Sequence, residues 1–284
     1  MAVVFQQAAR IKKKARVLFE GPSGSGKSMS SLLLAKGLAQ GKPIYAVDTE
    51  RDSLSLYSNR VPFMSTQLTP KYTPERYMEC IKAVPTDCEV LIIDSITHEW
   101  AGEGGCLEIH GSMSGNSFVN WGKVGERHTA FIEAMLGVPC HLIINCRSKT
   151  TYVQQEEGGK KTIAKMGLQP QQRDGLDYEV DLVFTLDQDN HAARATKNRT
   201  DLWADGSPII ITPDEGEQLL AWLESGAEDP QVAWAYALLS EASKIKDMEL
   251  LKTYFTERKA EISANSQRAL IYKKYLEWEA EAKK

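Results

Sequence analysis

Residues 21–28 read Gly-Pro-Ser-Gly-Ser-Gly-Lys-Ser, and this run constrains the fold more than any other part of the chain. Glycines at that spacing let the backbone fold tightly, so that its N–H groups point inward around phosphate oxygens. Lys27 then places a cation on the phosphates, Ser28 offers a hydroxyl to a divalent cation, and the helix starting there adds its positive end. The pattern requires a strand in front and a helix behind. Arg16-Val17-Leu18-Phe19 supplies the strand, and a helix is predicted from Lys27 to about Gln40, with Leu32, Leu33, Leu34 and Leu38 as its apolar contacts. Gly41-Lys42-Pro43 stops it. The residues expected to contact a nucleotide are Gly21, Pro22, Ser23, Gly24, Ser25, Gly26, Lys27, Ser28 and Met29.

A phosphate loop of this type needs a second carboxylate to complete a Mg²⁺ shell. Glu89-Val90-Leu91-Ile92-Ile93-Asp94 is a near-continuous apolar run, as expected of a strand buried on both faces of a parallel sheet. Asp94 closes it and is paired with Ser28 as the expected metal site. ATP and Mg²⁺ are the expected ligands. Hydrolysis also needs a group that orients and deprotonates water. The position after Asp94 is Ser95, so the base comes from elsewhere. Glu50, in Asp48-Thr49-Glu50 at the end of the strand Pro43–Asp48, is the better candidate, because the carboxyl ends of parallel strands line the ligand crevice. Glu99, in Thr97-His98-Glu99-Trp100, is its rival.

The remainder sets the architecture. Helices are predicted at Pro74–Val84 and Asn120–Leu136, and a buried strand at Cys140–Asn145. Strands alternating with helices imply an α/β fold with a mostly parallel sheet covered by helices. Thr150–Gly175 is polar and lacks a clear period. Strand-like runs at Glu179–Leu186, Ala192–Thr196 and Ile209–Thr212 have no long helix between them, so hairpin additions to the sheet edge are expected. A helix at Glu215–Leu223 ends the core, Ser225–Pro230 is a linker, and Met248, Leu251, Phe255, Ala269, Tyr272 and Leu276 fall at helical spacing, predicting two or three further helices. The expected division is an N-terminal segment 1–14, a core 15–225 and a helical appendage 230–284.

Bulk properties narrow the class. With 284 residues, 25% charged and 42% hydrophobic, the composition is that of an ordinary globular chain. No stretch approaches the ~20 apolar residues that span a bilayer, so no membrane association is expected. The five cysteines are odd in number, scattered and without a C-x-x-C pair, which favours simple thiols in a reducing cytoplasm over disulfides or a zinc site. A net charge of −4 argues against a surface coated for nucleic acid but leaves room for a local basic patch.

The order of phosphate loop, Asp48-Thr49-Glu50 and Leu91-Ile92-Ile93-Asp94-Ser95 resembles the RecA-like P-loop ATPases, in which the catalytic Glu comes from the strand after the loop helix. The resemblance covers roughly residues 15–215. Ile143-Ile144-Asn145-Cys146-Arg147 stands where that family carries its sensor strand, with Cys146 in place of the usual Gln. Ala195-Thr196-Lys197-Asn198-Arg199 looks like the segment that reaches a neighbouring subunit's ATP, which makes Lys197 and Arg199 expected catalytic cations acting in trans alongside Lys27, Glu50 and Asp94. Within the superfamily the chain looks most like bacteriophage AAA-type ATPases related to the Sak-type single-strand annealing proteins, on Gly21–Lys27, Asp94–Trp100, Asn116–Trp121 and Gln172-Arg173-Asp174-Gly175.

That resemblance implies an ATP-dependent homo-oligomer, ring or filament, acting on single-stranded DNA in phage recombination or replication. The helical tail has no counterpart in the RecA core and is a candidate for binding a protein partner. Phe5-Gln6-Gln7-Ala8 has the Phe-x-x-Ala form of a subunit-docking segment, although an amphipathic N-terminal segment is the favoured interpretation. RecA-like DNA-binding loops correspond to about Gly102–Lys123 and Thr150–Gly175. The second holds Lys160, Lys161, Lys165 and Arg173 with Tyr152 nearby, partly offset by Glu156 and Glu157. Cations track phosphates and an aromatic stacks on a base. The competing functions are a small-molecule kinase, for which no arginine-rich lid is evident, and an ATP-switched adaptor.

Overall fold

The computed structural model describes residues 9–157 and 160–282, and for 150–157 and 160–167 the backbone alone. In chain order the first unit contains β1 (Arg16–Gly21), α1 (Lys27–Ala39), β2 (Ile44–Asp48), β3 (Met64–Gln67), α2 (Pro74–Ala83), β4 (Val90–Asp94), α3 (Thr97–Ala101), α4 (Cys106–Ser112) and α5 (Ser117–Leu136). It continues with β5 (His141–Glu157), β6 (Lys160–Pro170), α6 (Leu176–Glu179), β7 (Leu182–Leu186) and β8 (Ala193–Asn198), and runs into α7 (Pro213–Glu224). The chain divides within α7 into two compact units, residues 15–220 and the segment before Ala15 together with residues from Ala221 onward.

The sheet order is β3-β2-β4-β5-β1-β7-β8, with β6 paired to β5. Every pairing from β3 to β7 is parallel, and β7–β8 and β5–β6 are antiparallel. A mostly parallel sheet was expected from the sequence, and β5 lies between the loop strand β1 and the Asp94 strand β4. All five residues of β4 are buried, which explains its unbroken apolar run. Leu18, Leu91, Ile93, Leu142 and Ile144 form one core layer with Tyr77 of α2 and Phe131 of α5.

Local contacts set the helices. Arg16 reaches the end of α5 and donates to the carbonyls of Leu136 at 2.8 Å, Val138 at 2.6 Å and Cys140 at 2.8 Å, satisfying acceptors that a helix end leaves open. Arg127 of α5 grips Glu75 of α2 through two bonds of 2.7 Å, and that guanidinium holds the Glu75 carboxyl down at about 2. Helix α1 is buried on several sides and meets the start of α7 backbone to backbone. A Cβ on Gly37 would lie 2.0 Å from the Pro213 carbonyl, and one on Gly216 would lie 2.3 Å from that of Leu34.

Three expectations change in this unit. Gly102–Lys123 is not a loop throughout, since it holds α4 and the start of α5. Thr150–Gly175 is not an irregular loop: β5 runs on to Glu157 and β6 returns, opposing Tyr152 to Lys165 and Gln154 to Ile163. A two-stranded ladder satisfies its own backbone, so polar composition without an apolar face conceals it. Ile209–Thr212 is no full strand, since Ile209 makes one isolated bridge to Ala193.

In the second unit, α8 (Pro230–Ala242), α9 (Met248–Glu257), α10 (Lys259–Ala264) and α11 (Arg268–Ala282) pack around Leu238, Leu251, Phe255, Ile262 and Ile271. These are four helices among the described residues where two or three were expected, because Arg258 separates α9 from the short α10. Arg10 stacks over Trp222 at 4.5 Å, and Lys12 N–H donates to the Ala227 carbonyl at 2.7 Å. Phe5–Ala8 lies outside the described residues. No helix among them is long and apolar enough to cross a membrane.

Candidate functional site

Strand β1 ends at Gly21 and the chain turns into α1 through Gly24 and Gly26, whose φ angles of +80° and +90° are left-handed and favour glycine. Gly26 caps α1 without a side-chain hydrogen bond, so the first N–H groups of the helix remain available to an anion. Ser25 lies buried beneath the turn, and a Cβ on Gly21 would come within 2.5 Å of its Oγ. Gln188 donates to the Ser23 carbonyl at 3.0 Å and holds the turn from outside. Lys27 folds back over the loop and donates to the carbonyls of Gly21 at 2.9 Å and Pro22 at 2.8 Å. Burial lowers the pKa of its ammonium, opposed by the charges of Asp94 and Glu50.

The Ser28 hydroxyl donates to Asp94 Oδ2 at 2.5 Å, joining the start of α1 to the end of β4. Asp94 stands in register with Asp48 of β2 and Asn145 of β5. Burial pushes its carboxyl up to about 6, with the negative charges of Glu50 and Asp48 adding to the rise and the Ser28 hydroxyl opposing it. A hydroxyl and a carboxylate are hard oxygen donors of the kind Mg²⁺ takes, and the glycine cradle with an uncapped helix start suits a phosphate chain. The residues present therefore fit the expected ATP and Mg²⁺.

Glu50 enters the same cleft just past the end of β2. Arg147, on β5, holds its carboxylate with both arms of the guanidinium: Nε donates to Oε1 at 2.6 Å and Nη2 to Oε2. Burial pushes the Glu50 carboxyl up, but the Arg147 hydrogen bonds and charge more than offset it and the net shift is downward. The Arg147 backbone N–H donates to Thr97 Oγ1 at 2.8 Å, tying the arginine to the turn after β4.

The cleft encloses about 540 Å³. Ser23, Gly24, Gly26, Lys27, Ser28 and Met29 line its phosphate end, and Glu50, Asp94 and Arg147 line one wall. Tyr57, Arg60, His191 and Ile210 line it as well and were not anticipated. Tyr57 and Arg60 follow Glu50 through a short 3₁₀ turn at Ser53–Tyr57, and His191 sits in the β7–β8 turn against Gly26. A signal existed for Arg147, since it follows Asn145 on a strand whose carboxyl end faces the crevice.

The two candidate bases part company. Glu50 lines the cleft, whereas Glu99 is fully buried elsewhere, accepting hydrogen bonds from Cys106 at 3.1 Å and Gln172 at 3.3 Å and paired with His128 at 3.1 Å. Lys197 and Arg199 are not brought to the cleft within one chain. Lys197 donates to the Asp177 carbonyl and lies 5.9 Å from the Tyr178 ring, while Arg199 donates to the Tyr178 carbonyl at 3.4 Å and stands 3.6 Å from Asp181. Of the expected DNA-contacting cations, Arg173 is exposed at the foot of the hairpin, and the side chains of Lys160, Lys161 and Lys165 lie outside the described set.

Comparison with curated proteins finds no match. Among solved structures the chain is similar to the RadB recombinase, with 17% identity, a TM-score of 0.40, and coverage of 72% of this chain and 90% of that one. It is also similar to the flagellar accessory protein FlaH from Methanocaldococcus jannaschii, with 12% identity, a TM-score of 0.34, and coverage of 71% and 89%. A family model described as an AAA domain matches residues 13–215, the greater part of the chain and the whole of the nucleotide cleft, and the chain belongs to that family of P-loop ATPases.

Proposed function

We propose that this chain binds ATP with Mg²⁺, hydrolyses it, and couples turnover to single-stranded DNA as a homo-oligomer in phage recombination or replication. The observation that carries the hydrolytic part is the meeting of Lys27, the Ser28–Asp94 pair and the Glu50–Arg147 pair in one cleft. Lys27 exchanges its two loop carbonyls for phosphate oxygens. Ser28 and Asp94 hold the cation, which when bound neutralises charge on the phosphates. Glu50 accepts the proton of the attacking water, aimed by the Arg147 fork, and that guanidinium also places a positive charge beside the reacting end. The Tyr57 ring and Ile210 offer flat and apolar surface for a base.

The DNA part rests on the β5–β6 hairpin, whose sequence places Lys160, Lys161 and Lys165 on one two-stranded ladder, the first two opposite Glu157 and Glu156, with Arg173 at its foot. Repeated along an oligomer, such hairpins make a basic track that a single chain of net charge −4 lacks. Lys197 and Arg199, remote from their own cleft, serve a neighbour's. Mixing Lys27→Ala chains with Lys197→Ala/Arg199→Ala chains restores activity at mixed interfaces if so, and gives none if the role is in cis. ATP hydrolysis measured with and without single-stranded DNA tests the whole reading. Stimulation that is lost in the Lys160/Lys161/Lys165/Arg173 alanine variant, with basal hydrolysis kept, supports it. Unchanged DNA binding by that variant at every salt concentration removes the hairpin from the proposal, and a phosphorylated small-molecule product would replace hydrolysis by kinase chemistry.

A further inference from the structure

Away from the cleft, helices α3, α4 and α5 bring three side chains of metal-ligating type to one point. Glu99 comes from the middle of α3, Cys106 opens α4, and His128 lies in the second half of α5. Glu99 and Cys106 are 0% exposed and His128 6%. Cys106 Sγ stands 3.1 Å from Glu99 Oε1, and His128 Nδ1 stands 3.1 and 3.2 Å from the two carboxylate oxygens. One ligand atom from each residue lies within 4.8 Å of the other two. None of the three lines the nucleotide cleft.

A carboxylate this deeply buried needs a cation or a full set of donors. Among the described residues its ion-pair partner is a histidine and not a lysine or arginine. A thiol is a weak hydrogen-bond donor, so Cys106 is a poor choice if its task is to satisfy that charge. The turn that delivers it is built for close approach: a Cβ on Gly105 would lie 2.7 Å from the carbonyls of His98 and Glu99.

We propose that Glu99, Cys106 and His128 form a binding site for one divalent cation of the zinc class, with a water in the fourth position. Bond lengths of ~2.0–2.3 Å to N, O and S ligands place the ligand atoms of a tetrahedral site ~3.3–3.7 Å apart, so the two 3.1 Å separations to Glu99 open by a few tenths of an ångström, and Cys106 and His128, within 4.8 Å of each other, take up the same spacing when the ion binds. A mixed N, S and O donor set selects zinc over magnesium. Binding converts the thiol to a thiolate and releases its proton to solvent. Gln172 stays outside the shell and orients its carboxylate ligand: its amide donates to Glu99 Oε2 at 3.3 Å and to Ile96 O at 3.1 Å and accepts from Arg173 N–H at 2.7 Å. The ion ties together helices of five and seven residues, too short to persist alone, and fastens both to α5. It also fixes His128, whose ring meets Trp100 edge-on at 5.4 Å, and Trp100 stacks on Trp121 at 5.8 Å.

The test uses the full chain, produced with zinc in the medium and separated from loose metal by gel filtration. Elemental analysis should find stoichiometric zinc. Replacing it with Co²⁺ should give the strong visible bands of a tetrahedral ion and a thiolate charge-transfer band in the near ultraviolet. Cys106→Ser should abolish the charge-transfer band and stoichiometric retention, and Asp94→Asn should leave both intact. Should Cys106→Ser fail to fold, His128→Gln carries the same loss of retention. A chain without stoichiometric zinc that gives no charge-transfer band on titration with Co²⁺ overturns the proposal. A band that survives both cluster variants does so too, since another cysteine then holds the metal.

Discussion

Glu50 and Glu99 are each paired with a nitrogen-bearing side chain, yet one is half-buried and the other fully buried, and they sit in opposite kinds of place. Glu50 opens onto a cleft beside Lys27 and Asp94, and its partner Arg147 is a permanent cation. Glu99 is closed in behind the first turn of chain past β4, with histidine, thiol and amide around it. The contrast shows that burial and pairing do not by themselves bring a carboxylate to the cleft. What separates the two is the sheet: Glu50 follows a strand end on the crevice side, and Glu99 lies a helical turn past another strand end, facing α5.

The sharpest way to break this contrast is to neutralise each carboxylate in turn. Glu50→Gln should keep ATP binding and slow hydrolysis by about 10²–10⁴-fold, as for loss of a general base. Single-turnover hydrolysis by a well-folded variant checks it, and normal rates there with slow rates in Glu99→Gln would reverse the assignment. Lys27→Ala, next in size, should lower turnover by about 10²–10³-fold and weaken nucleotide binding, since it removes the loop's cation.

Asp94 sharpens the comparison through pH. Its folded pKa of about 6 lies above the ordinary aspartate value, so the folded state takes up the proton first and stability should rise as pH falls from above 6 towards 4. Asp94→Asn should therefore stabilise the nucleotide-free chain at pH 7 by ~2–3 kcal/mol, an advantage that disappears near pH 4. The same change should abolish Mg²⁺-dependent hydrolysis. Thermal denaturation across that range is the measurement, and an advantage that is flat in pH would contradict the burial argument. The smallest effect is expected at the enclosed carboxylate: Glu99→Gln should cost about 1–3 kcal/mol of stability by disturbing its donors, with turnover within a few-fold of the parent.

The contrast also explains what the sequence disclosed. The glycine loop, Lys27, Ser28 and the apolar run ending at Asp94 are local patterns, and each stands where the spacing puts it. Glu50 was legible because a strand end is also a local feature. Arg147 was placed on the sensor strand by the sequence, but its pairing with Glu50 was not legible, because only the β2-β4-β5 order brings the two alongside. Tyr57, Arg60 and His191 were hidden for the same reason, since turns carry no period that points to a cleft. The β5–β6 hairpin escaped because neither of its strands shows the alternation that a half-buried strand would. Glu99 stood beside Glu50 as a rival base, because nothing in the sequence says that Cys106 and His128 close around it.

One consequence of the long strand β5 remains. The segment that delivers Arg147 to Glu50 is the one that pairs with β6 from Ser148 to Glu157, with no loop between. At about 3.3 Å per residue, the ten residues from Arg147 to Glu157 reach about 33 Å when extended. The ion pair in the cleft and the base of the hairpin therefore share one uninterrupted stretch of backbone. The pairing shifts register between Thr151 and Tyr152, where the strand's backbone departs from a regular ladder.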